Sequence, residues 1–370
     1  MIDTRPFPGV GNVGALLAAV APISDTALAA RWALLGDKTF WLSRSSWGMA
    51  ALANAFRARF GRPPRVWMPE YFCDQALWPL RAQAAELVFY SVDARAWPDW
   101  AASNADFPPD LFFLVHFYGH ASDIVRARAF CDAAGALLVE DATHALGPDD
   151  IIGHAGDVVF YSPWKFFEVP NGAVMLIRPR ATEWTEPVTA AVADLGARPS
   201  LGLNWMKDVV LSKLPGIERR THLATFAAGD FLKDAPVQAM SRRPKASPVT
   251  KPLLANVQLA GVGDRRRAND ASIRAYVADL PGWRPLDPVP ARGPLRSAFV
   301  IDSPERAEAA HRALRRAGIR AEGWPGLPAE VAATTMATRL RQTVINLPCH
   351  QGLTPDVLQA ALGHAGLTSF

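Results

Sequence analysis

Three short stretches of this chain hold residue types that can bond to a carbonyl carbon, keep a proton on a heterocycle and grip a phosphate. In the first, Lys165 stands between Trp164 and the pair Phe166-Phe167. Lysine is normally solvated, and crowding it with rings penalises the ammonium form, which frees the amine to attack an aldehyde. A surface lysine that lays its stem over apolar neighbours gives the same local pattern. In the second, the apolar run Leu137-Leu138-Val139 ends in Glu140-Asp141, followed by the polar turn Ala142-Thr143-His144. A carboxylate there can stabilise a proton on a ring nitrogen. It can also cap a following helix or take part in a metal site. In the third, Ser45 and Ser46 follow the apolar Phe40-Trp41-Leu42 and precede a helical pattern. Hydroxyls and free amides at a helix N-terminus make a phosphate site, although a serine there is also an ordinary N-cap.

The elements that must position these residues read as α/β. Strands are expected at Thr39–Ser43, Arg65–Met68, Glu86–Ser91, Leu111–Phe117, Ala136–Asp141, Asp157–Ser162 and Gly172–Ile177. Several are apolar throughout, as strands covered on both faces are. Helices are expected between them at Trp47–Phe60, Cys73–Ala84 and Ile124–Ala134. The alternation predicts a large domain with a mostly parallel, seven-stranded sheet covered by helices. Ligands bind outside the carboxyl ends of such strands, where Asp141, Ser162 and Lys165 fall. Thr182 to Met240 reads as mostly helical, and Arg242–Pro252 as a connection. A helix follows within Asn256–Asp279. A smaller α+β domain closes the chain, with strands at Ser297–Ile301 and Thr343–Leu347 and helices at Pro304–Ala317 and Thr354–Ala365. The expected domains are therefore 1–240 and 241–370. An amine, an acid and a phosphate grip together are what pyridoxal phosphate needs, since it acts as an electron sink while its ring nitrogen stays protonated.

Composition narrows the class. The 370 residues are 50% hydrophobic and 20% charged, with a formal net charge of +4. That is ample for a large core and lacks the dense basic runs of a nucleic-acid partner. Cys73, Cys131 and Cys349 form no CxxC pair and read as free thiols of a reducing compartment. His116, His120, His154 and His350 have no metal-ligand spacing, so no metal is expected. No apolar run is long enough to span a bilayer and no leader pattern opens the chain, so the expectation is a soluble cytoplasmic protein without a membrane partner.

The order of the motifs then carries a resemblance. Arg44-Ser45-Ser46, Pro69-Glu70-Tyr71, Val115-His116-Phe117-Tyr118-Gly119, Glu140-Asp141-Ala142-Thr143-His144 and Ser162-Pro163-Trp164-Lys165 lead to Gly172-Ala173-Val174. Near the C-terminus follows Leu347-Pro348-Cys349-His350-Gln351-Gly352-Leu353-Thr354. This series resembles the DegT/DnrJ/EryC1/StrS family of sugar aminotransferases, with the aspartate-aminotransferase (type I) fold. The resemblance implies pyridoxal phosphate as cofactor and Lys165 as its Schiff-base lysine and proton shuttle. It implies Asp141 against the pyridine nitrogen and His144, in place of the usual Gln, near the ring hydroxyl. Ser45, Ser46 and Ser162 hold the phosphate, and Tyr71 or Phe72 stacks on the ring, although the family's stacking position aligns with Cys73. Val169-Pro170 replaces a Gly-rich turn, and no Asn-Tyr-Arg segment follows the large domain. Arg266, Arg267 and Asn269 read either as an anion site or as a solvated helix face.

Transamination is the activity so implied, from an amino acid (glutamate by family analogy) to a nucleotide-linked keto-sugar, in polysaccharide or secondary-metabolite biosynthesis. The family implies a homodimer. Two other readings stand beside it. Keto-sugar dehydratases of the family carry His where Lys165 stands here. A non-catalytic relative would bind cofactor or nucleotide-sugar alone.

Overall fold

The structure, a computed structural model, describes residues 2–6, 24–101, 107–196, 198–199, 205, 231–232 and 243–367. Strands β1 (Lys38–Leu42), β2 (Arg65–Pro69), β3 (Glu86–Tyr90), β4 (Leu111–Val115), β5 (Leu137–Asp141), β6 (Val158–Tyr161) and β7 (Ala173–Ile177) form one seven-stranded sheet. Their order is β1-β7-β6-β5-β4-β2-β3. Every pair from β6 to β3 is parallel, and β7 runs antiparallel to both of its neighbours. β1 therefore points the same way as β6, and only β7 is reversed. The uniform burial of β4, β6 and β7 explains why their sequences are apolar without alternation. This is the mostly parallel α/β sheet expected from the sequence.

Helices cover the sheet. A short α1 (Asp25–Ala29) precedes β1, and α2 (Ser45–Phe60) follows it. Gly61 ends α2 in the left-handed region (φ 70°), which glycine enters without a Cβ clash. The helix expected over Cys73–Ala84 is instead a 3-10 turn at Asp74–Ala76 and a short α3 (Trp78–Ala82). Pro79 is the reason: it lacks an N–H and is tolerated only in a first turn, so the helix must begin just before it. α4 (Ile124–Ala134) has the expected bounds, and Asp123 caps it by accepting the Arg126 N–H. α5 (Thr185–Asp194) is part of the helical stretch expected over 182–240; residues 197, 200–204, 206–230 and 233–240 of that stretch lie outside the described ones.

The helix expected over Asn256–Asp279 starts later than expected, and a separate short helix precedes it. α6 (Thr250–Ala255) takes up part of the expected connection, with Pro252 in its first turn. α7 (Val262–Val277) starts only after Gly261, whose φ of 72° breaks the helix. The C-terminal unit holds a second sheet, β10-β9-β8, of β8 (Trp283–Pro285), β9 (Ser297–Ile301) and β10 (Val344–Leu347), all antiparallel. Helices α8 (Pro304–Arg316), α9 (Met336–Thr343) and α10 (Pro355–Ala365) accompany it. β8 and α9 escape sequence reading because one is three residues long and the other carries several polar residues. Packing crosses residue 240 in both directions. Ile2 joins the C-terminal core and bridges to Ile319, whereas Leu253, Leu254 and Val262 pack with Trp32, Trp41 and Tyr161 against the large sheet. Among the described residues, no helix is long and apolar enough to cross a membrane.

Candidate active site

The sheet direction brings the chemistry together. The carboxyl ends of β1, β4, β5 and β6 share one edge, and the residues that follow them are Ser45-Ser46, His116, the Asp141–His144 turn and Ser162–Lys165. Asp141 is the last residue of β5, buried at 4% exposure. Its Oδ1 accepts the Thr143 N–H at 3.0 Å, which fixes the carboxylate against the turn. Lys165 closes the 3-10 turn Pro163–Lys165 and is half-buried. Its Nζ donates to Thr143 Oγ1 at 3.1 Å. Burial lowers the Lys165 ammonium to about 8; Asp141 and Cys73 oppose that shift, and Arg44 and Arg296 add to it. Such an amine is partly uncharged near neutral pH, as a nucleophile and proton carrier must be. Thr143 thus links the acid to the amine, a role its place in the motif did not disclose.

His144 is held from a second element. The Tyr118 N–H donates to its Nδ1 at 3.2 Å. Burial, and then the charges of Lys165 and Arg296, hold the imidazole well below its usual pKa. The ring is therefore neutral, with its proton on Nε2. Tyr118 and Gly119 form the tight turn that delivers this N–H, with φ of 57° and 91°. A Cβ at residue 119 would lie 2.9 Å from the His144 carbonyl oxygen, so glycine is required there. Below the turn, His116 and Glu140 are both fully buried. The Ser122 N–H donates to His116 Nδ1 at 3.0 Å, which leaves the Nε2 proton facing Glu140 Oε1 at 3.0 Å. Burial alone would raise the Glu140 carboxyl, but His116 and the N–H groups of Gly153 and Gly156 outweigh it and hold the pKa down. This network ties β4, β5 and the loop before β6 into one frame.

At the other end, Ser46 is buried and Ser45 half-buried in the first turn of α2, which has no side-chain cap. Ser162 Oγ, in a residue 1% exposed, has no hydrogen-bond partner among the described residues. An uncapped helix N-terminus and an orphaned buried hydroxyl fit a phosphate. The residues present therefore fit pyridoxal phosphate at each of its three recognition points: phosphate, aldehyde and ring nitrogen.

Two expectations are corrected. Tyr71 has no free face for a cofactor: it is 0% exposed, stacks on Trp324 with centroids 4.5 Å apart, and sets its hydroxyl 3.4 Å from that of Tyr118. Phe72 packs into the main core. Cys73, on which the stacking position aligns, is close enough for its thiol and Lys165 to influence one another. Arg266 and Asn269 are neither an anion site nor a solvated face. Arg266 is 0% exposed and gives its N–H groups to Gln351 Oε1 and to the carbonyls of Pro294, Leu295 and Phe166. Asn269 Nδ2 serves the carbonyls of His350 and Leu353. Only Arg267 is solvated, paired with Asp264. The burial pattern of a helix whose core face is polar is not visible in a hydrophobic period.

Residues missed by sequence reading come from far along the chain. Arg296 and Trp324 belong to the C-terminal unit and reach His144, the first through its charge and the second by edge-on contact at 5.9 Å. Gln351, inside the late motif, donates to the Phe166 carbonyl at 2.9 Å and so fastens the turn that bears Lys165. The histidines considered for metal go to separate partners: His120 to the Val289 carbonyl, His154 to that of Asp149, and His350 to the Gly352 N–H. A cavity of about 580 Å³ lies elsewhere, along Ala145–Ile152, and is lined by neither Lys165 nor Asp141. Its arginines are committed, Arg31 to backbone carbonyls and Arg292 to Asp150.

Comparison with known proteins places the fold. Residues 111–168 match the DegT/DnrJ/EryC1/StrS aminotransferase family, a span from the start of β4 to just past Lys165. No curated protein matches the sequence. Among solved structures, the sugar aminotransferase CalS13 from Micromonospora echinospora superposes with a TM-score of 0.70 at 18% identity, covering 100% of both chains. PseC from Helicobacter pylori, an aminotransferase of pseudoaminic acid biosynthesis, gives 0.69 at 12% identity, covering 97% of this chain and 96% of its own. DesI, determined in the presence of its TDP-sugar product, gives 0.65 at 19% identity, covering 99% and 92%. The fold is that of the type I sugar aminotransferases.

Proposed function

We propose that this chain is a pyridoxal-phosphate-dependent aminotransferase that moves an amino group from an amino acid, glutamate in the first instance, to a nucleotide-linked keto-sugar. The observation that carries this reading is the Lys165 amine. It is half-buried, tuned to about 8, and held by Thr143 beside Asp141 at the carboxyl edge of the sheet. A surface lysine would keep its head in water and its ordinary pKa.

Each residue then has a task. Lys165 Nζ would hold the cofactor and, as a free amine, would carry the proton taken from the Cα of the incoming amino acid. Asp141 keeps a proton on the ring nitrogen. Bound there, the cofactor supplies the electron sink that makes the Cα proton removable. His144 would donate its Nε2–H to the ring hydroxyl, and Ser45, Ser46 and Ser162 would take the phosphate. A lysine in this position supports transamination over dehydration. The presence of a TDP-sugar with DesI supports a nucleotide-linked acceptor here, and the likeness to PseC, an enzyme of pseudoaminic acid biosynthesis, supports a task in sugar biosynthesis for polysaccharide or secondary-metabolite assembly.

The test is a single half-reaction. Mixing the loaded protein with glutamate is expected to give 2-oxoglutarate and pyridoxamine phosphate in equal amounts, with loss of the yellow absorbance. Retention of the yellow form with every amino acid tried would overturn the proposal. A panel of nucleotide-linked keto-sugars then identifies the acceptor.

A further inference from the structure

Arg44 is the residue before α2, extended at φ −145° and ψ 151°, with a side chain that does not cap the helix. Its guanidinium lies over the Trp164 ring, 3.6 Å from the centroid. Trp164 immediately precedes Lys165 and is two residues past Ser162. The guanidinium is therefore stacked where the α2 N-terminus meets the lysine turn. Among the described residues the Arg44 side chain has no hydrogen bond or ion pair; its contact is the indole face. Its charged neighbours are cations. Arg5 approaches the same ring at 5.9 Å, and Lys165 feels the Arg44 charge. Burial, then Arg5, lowers the guanidinium to about 10.

A crowded guanidinium without a carboxylate lacks its counter-ion. Stacking on an indole fixes its plane while leaving its N–H edge free, and that edge matches the oxygens of a phosphate. Two further observations point to the same ligand. Ser162 Oγ is buried and unpartnered, and the first amides of α2 have no side-chain cap.

We propose that Arg44 binds the phosphate of the cofactor through its N–H edge, completing with Ser45, Ser46 and Ser162 the grip on a dianion; the assignment rests on the function proposed above. The same phosphate chemistry occurs in the diphosphate of a nucleotide-linked sugar, so the test must separate the two sources.

The apoprotein is titrated with pyridoxal phosphate, with pyridoxal and with thymidine diphosphate, and binding is followed by absorbance and tryptophan fluorescence. In Arg44→Gln the affinity for pyridoxal phosphate is expected to fall about 10- to 100-fold, the range of a lost charge-assisted hydrogen bond. The affinity for pyridoxal, which has no phosphate, is expected to be unchanged, and this arm also reports that the variant is folded. Arg44→Lys, which keeps the charge without the fork, is expected to fall between the two. Equal weakening of both vitamers overturns the proposal in favour of a structural role. An unchanged affinity for pyridoxal phosphate with weakened binding of thymidine diphosphate overturns it in favour of the acceptor's diphosphate. Failure of the unaltered protein to bind either vitamer overturns the cofactor reading and this inference with it, whereas loss of discrimination overturns the inference alone.

Discussion

The amine of Lys165 must be uncharged to attack a carbonyl and charged to hand a proton on. Burial lowers its pKa to about 8, and the nearby Asp141 limits how far it falls. The sign follows from which form reacts. The rate of covalent attachment of pyridoxal phosphate to the apoprotein should rise with pH up to about 8 and level off above it, whereas an ordinary lysine would keep gaining to beyond pH 10. Asp141→Asn removes a charge that favours the ammonium form, so its midpoint should move to lower pH. Rapid-mixing absorbance at a series of pH values measures both. A midpoint near that of free lysine would show that the amine is solvated. At this scale the sequence was informative where chemistry is concentrated in a few consecutive residues. That Lys165, Asp141, His144 and Ser162 fall at or just beyond strand ends was legible because strand ends and breaks in apolar pattern are local signals. Tyr71 was not, because the ring that covers it, Trp324, lies more than 250 residues away.

Elements place these residues through a few specific ties. The turn bearing Lys165 is held from behind: the Phe166 carbonyl accepts Gln351 Nε2 at 2.9 Å, and Arg266 Nε donates to Gln351 Oε1 at 2.8 Å. Replacing Gln351 by Leu removes both bonds and leaves part of Arg266 unpaired in a buried site. The fold should lose about 1 to 3 kcal/mol, read by urea unfolding. The maximal turnover should fall about tenfold, as expected when a reacting atom is held less firmly, with cofactor affinity changed much less. Unaltered turnover would show that the lysine turn holds its own shape. Elements with strong period or clear caps, such as α4 and β9, were readable to the residue. α3 and the α6–α7 break were set by Pro79 and Gly261, whose effect on register is decided by what each segment packs against.

Across the whole molecule, the site joins two sheets. The large sheet contributes the carboxyl ends of β1, β4, β5 and β6; the C-terminal unit contributes Arg296, Trp324 and Gln351. The first set could be read from the sequence because parallel strands fix which ends lie together. The second could not, because no local pattern says which side chains of a small α+β unit face back across the chain. Ile2, packed in the C-terminal core, shows the same point from the other terminus. The composition of the whole chain also makes the decisive measurement clean. Seven lysines stand against 32 arginines, so few amines compete for an aldehyde. Reduction of the yellow protein with borohydride, followed by peptide mapping, is predicted to place a pyridoxyl group on Lys165 and on none of the other six. A label on another lysine, or an unlabelled Lys165 peptide, would contradict the account.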